Sequence, residues 1–234
     1  ISGLSAAYFL SKKHKVDLFE KNNYFGGHSL TVEIQENESN KLISMDLGFI
    51  VFNKETYPNL LNFFKDLNVP YEKSNMSFSV SVKNSNIEYS GSGIKGIFSN
   101  KLNIFNLKFL KMIKEIIFFY KEFNEIEEKQ YKHQTLGDFL KLKKTSNYFI
   151  NYHIVPMVAA IWSMPTKLAE KMPMQLFLNF FRNHGLFKIK KRPQWYTVSG
   201  RSKVYVNKVL QRISGEYFKN YEIKKVYRNK HNVR

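Results

Sequence analysis

Alternating hydrophobic and polar residues predict two hairpins in the first half of the chain. Residues 76–82 (MSFSVSV) alternate strictly, which is typical of a half-buried strand, and residues 87–90 are the expected partner. Residues 29–35 alternate in the same way, and we expect them to pair with residues 41–45 across a polar tip at residues 36–40.

Apolar residues at helical spacing predict several helices. Residues 53–67 carry an amphipathic pattern, and Pro58 suits the first turn of a helix. Thr135 has a side chain suited to capping the segment that follows it. The other helices are predicted over residues 4–12, 136–143, 148–161 (interrupted by Pro156), 176–181 and, after a turn at Gly200, up to residue 210.

The first twenty residues combine the parts of a dinucleotide-binding turn. Ser2 and Gly3 open the first predicted helix, residues 16–19 form a short apolar strand, and Glu20 ends that strand. Backbone N–H groups at a helix N-terminus can approach a pyrophosphate, where the helix dipole favours negative charge. A carboxylate about 20 residues further on accepts hydrogen bonds from ribose hydroxyls. Only the last glycine of the G-x-G-x-x-G motif is present, so these features alone leave a generic helix–strand pair open.

A glycine pair, Gly26-Gly27, follows soon after Glu20 and precedes His28. With this pair, residues 1–29 resemble the N-terminal FAD motif of the flavin-containing amine oxidase superfamily. The resemblance implies FAD as the cofactor, although the family usually has Arg where this chain has His28. The cofactor-binding residues that it implies are Ser2, Gly3, Glu20, Lys21, Gly26, Gly27, His28, Gly48 and Val226.

The resemblance continues along most of the chain. Asp46-Leu47-Gly48 resembles the element whose backbone lies against the flavin ring in this family, although a glycine at a strand bend is also common. A strand over residues 221–226 is expected to meet the adenine near Val226. The segments similar to a bacterial amine-oxidase-like subgroup, often labelled predicted NAD/FAD-binding, are residues 46–58, 75–82, 87–91, 135–140, 156–163, 192–195 and 199–206.

The resemblance implies an α/β fold with a Rossmann-like FAD/NAD(P)-binding domain and an inserted α+β substrate domain. We assign residues 1–55 and 195–234 to the FAD-binding domain and residues 56–194 to the substrate-binding domain. The chain begins inside a motif, so we expect the first strand of the sheet, and a C-terminal FAD segment, to lie outside this sequence. Without the upstream residues, unpaired strand edges predict poor stability.

The amino-acid composition argues against several classes of protein and of binding site. The formal net charge is +18, but 31 of the 37 basic residues are lysine and form no single dense tract, so we expect no nucleic-acid binding. The sequence contains no cysteine, which excludes disulfides and thiolate metal sites. No uninterrupted apolar run reaches membrane-spanning length. We expect a cytoplasmic protein, with peripheral contact at the inner membrane face as an alternative.

A lysine-rich amphipathic segment, residues 97–128, permits three interpretations. Apolar residues between Phe109 and Phe123 define a wide helical face, and lysines interleave with them. We favour a helix packed in the substrate domain, with lysine stems at its edge. A helix resting on a membrane surface and the wall of a tunnel for a long apolar substrate are the alternatives.

Trp162 and Trp195 are the predicted substrate-pocket residues, because aromatic rings often hold amines in flavin oxidases. The alternative is that each is an ordinary core residue. His153 and His184 are isolated in the sequence, so we interpret both as structural and expect no metal.

The sequence therefore predicts an FAD-dependent oxidoreductase that transfers a hydride from a C–H bond of an amine or a lipid-like substrate to the flavin. The expected partner is a small, apolar molecule. The sequence does not predict the oligomeric state. It does not predict the catalytic residue either, because the family's lysine near the flavin has no recognisable motif here. The alternatives are a basic surface- or nucleic-acid-binding protein without catalysis and a catalytically inert fragment.

Overall fold

The computed structural model describes residues 1–37, 40–83, 85–189 and 191–229, so residues 38 and 39 of the predicted hairpin tip and residues 230–234 lie outside it. The chain forms two compact units. Unit 1 comprises Ile1–Ser74 and the segment beginning at Gln194, and unit 2 comprises Asn75–Pro193. Among the described residues, no helix is both long enough and apolar enough to cross a bilayer.

Most strands lie in the first ninety residues of the chain, and most helices follow them. The strands are β1 (Leu18–Phe19), β2 (Thr31–Gln35), β3 (Leu42–Asp46), β4 (Phe52–Asn53), β5 (Tyr71–Ser74), β6 (Ser79–Ser81), β7 (Glu88–Ser90), β8 (Trp195–Val198) and β9 (Tyr217–Phe218). The helices are α1 (Ser2–Leu10), α2 (Pro58–Asp66), α3 (Ile94–Ile97), α4 (Leu107–Glu125), α5 (Leu136–Leu142), α6 (Asn147–Phe149), α7 (Val155–Trp162), α8 (Thr166–Ala169), α9 (Met174–Asn183) and α10 (Lys203–Leu210). Two 3-10 turns lie at Lys101–Phe105 and Glu128–Tyr131, and a π-helical turn lies at Ile150–Ile154.

Three small sheets form the β-structure of unit 1. β1 pairs with β9 in parallel, with Leu18 opposite Tyr217. β2 and β3 form the predicted antiparallel hairpin, with Thr31 opposite Asp46. β8 lies between β4 and β5 and is antiparallel to both. These pairings bring the beginning and the end of the chain into one unit.

The hydrophobic core of unit 1 explains why the first segment of this unit extends to Ser74. Phe63, Phe64 and Leu67 are buried there although we assigned them to the substrate domain. They pack with apolar residues of α1 and α10, and β5 pairs with β8. The structure therefore places residues 56–74 in unit 1, because the apolar face of α2 is buried there.

Unit 2 confirms the predicted hairpin, the N-cap and the helices predicted over residues 136–143 and 176–181. β6 pairs with β7. Thr135 caps α5 through a reciprocal capping box with Asp138. The buried face of α4 joins an aromatic core, which includes Phe109, Phe119, Phe123, Phe139, Phe149, Phe177, Phe181 and Phe187.

The helix predicted over residues 148–161 is divided by a widened turn at Ile150–Ile154. Proline lacks an N–H and its ring crowds the carbonyl four residues earlier, so Pro156 cannot bond the Tyr152 carbonyl. That carbonyl instead accepts a hydrogen bond from the Tyr89 hydroxyl at 2.7 Å. The π-helical turn thus accommodates the proline inside the core.

The strand predicted over residues 221–226 is wrong. The strand beside β1 is Tyr217–Phe218, and residues 221–227 have no regular structure. Phe218 stacks on Phe19 with ring centroids 4.8 Å apart, and this contact fixes β9 against β1. Val226 is 65% exposed, outside any strand.

Candidate functional site

The N-terminus of α1 lies against the glycine pair. The Ile1 nitrogen donates a hydrogen bond to the Gly26 carbonyl at 2.7 Å. Gly26 and Gly27 adopt φ angles of +117° and +58°, a region that side-chain-bearing residues rarely occupy. No side chain caps α1. The first-turn N–H groups of the helix therefore remain available to an external acceptor.

Glu20 lies at the end of β1, close to the same helix N-terminus. The Glu20 carboxylate lies within electrostatic reach of the Ile1 nitrogen. The Glu20 Oε1 atom accepts hydrogen bonds from the Asn22 backbone N–H at 2.9 Å and from Asn22 Nδ2 at 3.0 Å. Oε2 accepts none from the described residues, so the carboxylate is oriented but keeps capacity for a ligand hydroxyl.

The glycines differ in what surrounds them. A Cβ atom on Gly26 would lie 2.8 Å from the Ser29 carbonyl oxygen and 3.1 Å from Val206, so this position has no room for a side chain. A Cβ on Gly3 would meet nothing within 4 Å, and one on Gly27 would meet only Ile1 N, at 3.9 Å. Gly26 is therefore required by packing, whereas Gly3 and Gly27 border open space.

The structure explains why residue 48 is a glycine, and the sequence did not indicate this explanation. A Cβ at this position would lie 2.1 Å from the His28 carbonyl oxygen. The Phe49 N–H donates to that same oxygen at 3.1 Å. The protein's own backbone thus excludes a side chain at Gly48, and this close contact joins the D-x-G element to the glycine-pair loop.

Asp46, the first residue of the D-x-G element, caps α10. Its two carboxylate oxygens accept from the Ser202 N–H at 3.0 and 3.1 Å, and the Thr31 hydroxyl donates to Oδ1 at 2.6 Å. The Lys203 N–H in turn donates to the Thr31 hydroxyl oxygen at 2.9 Å. Sequence reasoning missed this role, since Asp46 and Ser202 are 156 residues apart.

Sequence reasoning also missed Tyr221. Its backbone N–H donates to the Glu20 carbonyl at 2.9 Å, and its ring centroid lies 5.3 Å from that of Phe19. The segment next to Glu20 is therefore residues 218–221, whereas Val226 lies further along an exposed stretch. The only signal in the sequence was the aromatic spacing of Tyr217, Phe218 and Tyr221.

The remaining predicted cofactor residues lie near the surface. Lys21 is exposed, with its Nζ 4.0 Å from the Glu222 carboxylate. The His28 side chain is exposed, while its backbone packs against Gly48. Ser2 is also exposed, at the first turn of α1. Their roles at the cofactor stay predictions.

The two tryptophans lie in different units. Trp162 ends α7 in unit 2, where its ring centroid is 4.6 Å from that of Phe180. Trp195 begins β8 in unit 1 and is buried. Trp162 therefore packs against an aromatic ring and Trp195 is buried, and a substrate-pocket role for both stays a prediction.

A cavity of about 200 Å³ in unit 1 lies beside α10. Tyr24, Phe25, Lys203 and Lys219 contribute to its lining. None of the predicted cofactor-binding residues lines it, although Val206 of its lining lies next to Gly26.

His153 is a fully enclosed residue of unit 2. The Tyr89 hydroxyl gives its hydrogen to the Tyr152 carbonyl, so it accepts from His153 Nδ1 at 2.9 Å. His153 Nε2 then accepts from the Tyr120 hydroxyl at 3.0 Å. Burial lowers the pKa of His153 to about 3 and raises that of Tyr120 to about 12. The imidazole is therefore neutral and structural, and the part of the chain described holds no cluster of three metal ligands.

Comparison with known proteins agrees with this geometry. Residues 1–67 match the family model of the NAD(P)-binding Rossmann-like domain. The match covers α1, β1, Glu20 and both glycine elements, and it confirms the predicted α/β fold class with a Rossmann-like nucleotide-binding domain.

Two solved structures share the fold. An oxidoreductase from Methanosarcina mazei aligns over 100% of this chain and 52% of its own, with a TM-score of 0.58 and 16% identity. A protein from Pyrococcus furiosus aligns over 97% of this chain and 50% of its own, with a TM-score of 0.51 and 15% identity. This chain thus spans about half the length of each structure, and no curated protein matches it significantly.

Proposed function

We propose that this protein is an FAD-dependent oxidoreductase of the amine-oxidase type. It transfers a hydride from a C–H bond of an amine or a lipid-like substrate to the flavin. The Rossmann-like match of residues 1–67 supports a dinucleotide cofactor, and the oxidoreductase from Methanosarcina mazei supports the general class of reaction.

One observation carries the proposal: three separate elements within residues 1–27 meet at the α1 N-terminus. These are the uncapped first turn, the Gly26-Gly27 loop bonded to Ile1, and the Glu20 carboxylate within electrostatic reach of the same residue. An adenosine diphosphate group needs these donors and this acceptor in one place. The open space beside Gly3 and Gly27 leaves room for it.

The residues around this site have distinct roles in the proposal. The first-turn N–H groups at Ser2 and Gly3 bind the pyrophosphate, and Glu20 accepts hydrogen bonds from the ribose hydroxyls. The close contact between Gly48 and His28 holds the surrounding loops in position. When bound, the flavin accepts a hydride equivalent from a C–H bond held beside it. The protein's contribution is to position the reactants and exclude water.

The absorption spectrum of the purified full-length protein tests the cofactor. We expect oxidised-flavin bands. A Glu20→Gln variant should bind FAD about 10- to 100-fold more weakly, because it loses a charge-assisted hydrogen bond to the ribose. Glu72→Gln, which changes an exposed carboxylate of β5, is the matched control and should leave the affinity unchanged.

Two results would count against the proposal. The first is a colourless protein that does not bind added FAD. The second is a colourless protein that binds duplex DNA with a steep salt dependence, which would favour the basic-surface alternative.

For a flavin-loaded protein, anaerobic reduction by amines or by acyl substrates distinguishes the two substrate classes.

A further inference from the structure

The outward face of α4 combines large apolar side chains with lysines. Its inward face, which includes Phe109, Met112, Phe119 and Phe123, is buried in the core of unit 2. At 3.6 residues per turn, a single line of side chains runs along the opposite side. We call these residues the α4 outer face: Leu107, Lys111, Lys114, Ile117, Phe118 and Lys121.

The exposure of these apolar side chains is unusually high. Leu107 is 80% exposed and Phe118 is 62% exposed. The 3-10 turn before α4 adds Leu102 at 63% and Phe105 at 84%. An exposed patch of large apolar residues on this scale marks an interaction surface rather than ordinary surface composition.

The charges on and beside this face are positive. Lys101, Lys108, Lys111, Lys114 and Lys121 are exposed, and none pairs with a carboxylate in the described part of the chain. Two acidic residues of α4 already have partners: Glu115 accepts from Ser146, and Glu122 pairs with Lys143. Glu125 is exposed, but it lies at the C-terminal end of the helix.

A cavity of about 420 Å³ opens beside the start of the face. Lys108 and Lys111 border it, together with the side chains of Asn147, Asn151 and Tyr152. Among the described residues that line it, two are cationic and none is acidic, while most of the lining surface is apolar. The two ammonium groups could therefore receive a phosphate beside an apolar group. The position of the cavity places such a phosphate next to the exposed Leu107 side chain.

We propose that the α4 outer face, with Leu102 and Phe105, docks on an anionic lipid bilayer, and that the cavity bordered by Lys108 and Lys111 receives a lipid phosphate. The interleaved lysines identify the partner. A covering protein segment would have to bury these ammonium groups or supply a carboxylate for each. A bilayer surface lets the apolar side chains enter while the lysine stems extend to lipid phosphates.

Vesicle co-sedimentation of the full-length protein tests the proposal. Vesicles of phosphatidylcholine with about 30 mol% phosphatidylglycerol should bind the protein, and phosphatidylcholine vesicles should bind it far more weakly. Phe105→Ser with Leu107→Ser should lower the partition coefficient at least about 10-fold. Lys108→Gln with Lys111→Gln should lower it roughly 10- to 30-fold, and only on the anionic vesicles.

Matched controls change similar residues elsewhere. Leu42→Ser alters an exposed leucine of β3, and Lys167→Gln with Lys171→Gln removes two exposed lysines of unit 2. Each control should change binding less than about 2-fold. Equal effects of the controls and the test variants would overturn the proposal. Binding of inorganic phosphate without vesicles, with no vesicle binding, would indicate a soluble-anion site and would also overturn it.

The absence of cysteine allows a direct test of what covers the face. An environment-sensitive fluorophore attached at Leu107→Cys or Phe118→Cys should shift to shorter wavelength when anionic vesicles are added. The same label at Lys167→Cys should not respond. A label at Leu107→Cys that already reports an apolar environment in buffer, and does not respond to vesicles, would show that protein covers the face and would refute membrane docking.

Discussion

The interior of unit 1 and the interior of unit 2 are stabilised by different kinds of contact. Unit 2 has one dense aromatic core, in which Phe123 contacts four other aromatic rings: Phe119, Phe139, Phe177 and Phe187. Unit 1 has short strands, the longest of five residues in its described part, and loops joined by backbone contacts such as Gly48 with His28. The aromatic core stabilises the fold of unit 2. The loops of unit 1 position backbone N–H donors and the Glu20 carboxylate. We therefore expect substitutions in unit 2 to change stability and those in unit 1 to change binding as well.

The largest effect is expected within α4. Phe123→Ala removes a fully buried ring and should lower the free energy of unfolding by about 3–5 kcal/mol. Phe118→Ala on the exposed side of the same helix is the control and should change it by less than about 0.5 kcal/mol. Urea unfolding followed by circular dichroism measures both. Equal losses would show that unit 2 does not depend on this core.

Acid should destabilise unit 2 through His153. The pKa of this histidine is lowered to about 3 by burial, whereas that of an unfolded histidine is about 6.5. Between these values the unfolded state binds more protons, so stability is complete above pH 6.5 and falls as the pH decreases. The loss should be about 1.4 kcal/mol per pH unit, or about 3 kcal/mol at pH 4.

Urea unfolding at several pH values measures this dependence. His153→Phe should be less stable at pH 7, because two tyrosine hydroxyls lose their partner, but its stability should fall less steeply with acid. His14→Phe, a change at an exposed histidine, should keep the wild-type slope. An unchanged slope in His153→Phe would show that His153 does not titrate in this range.

Two glycines of unit 1 should respond in opposite ways. Gly48→Ala places a methyl group against the His28 carbonyl and should cost about 1–3 kcal/mol of stability. Gly3→Ala meets open space in α1, so stability should stay equal or rise by up to about 1 kcal/mol. Gly3→Ala should nevertheless weaken FAD binding, because its methyl group occupies the proposed pyrophosphate position. Thermal unfolding and FAD titration separate the two effects, and full FAD affinity in Gly3→Ala would contradict this assignment.

The smallest of these effects is expected at the α10 cap. Asp46→Ala removes the carboxylate that accepts from the Ser202 N–H and should cost about 1–2 kcal/mol. Asp66→Ala, at an exposed aspartate that ends α2, should be neutral within about 0.5 kcal/mol. Thermal unfolding provides the measurement, and an unaffected Asp46→Ala protein would rule out the cap as a stabilising contact.

Local patterns allowed much of the fold to be predicted. Strict alternation specified the β6–β7 hairpin, and Thr135 as an N-cap specified the start of α5, because each depends on residues close in sequence. The Rossmann-like opening was predicted from residues 1–29, since the helix, strand and acid follow one another directly.

Long-range contacts could not be predicted. β9 forms at Tyr217–Phe218 because β1 lies beside it, and nothing near residue 217 encodes that partner. The cap of α10 by Asp46 and the Tyr89–His153–Tyr120 network join residues far apart in sequence. The boundary of unit 1 was missed for the same reason, since α2 packs with α1 and α10 as well as with Phe52 of the preceding strand.

Amide NMR spectra of the protein titrated with adenosine diphosphate test the central claim most directly. The account predicts that the largest shifts occur at Ser2, Gly3 and Gly27, and that Glu20→Gln weakens them while Glu72→Gln does not. Binding that leaves these amides unchanged, or that shifts only residues of unit 2, would contradict a dinucleotide site at the α1 N-terminus.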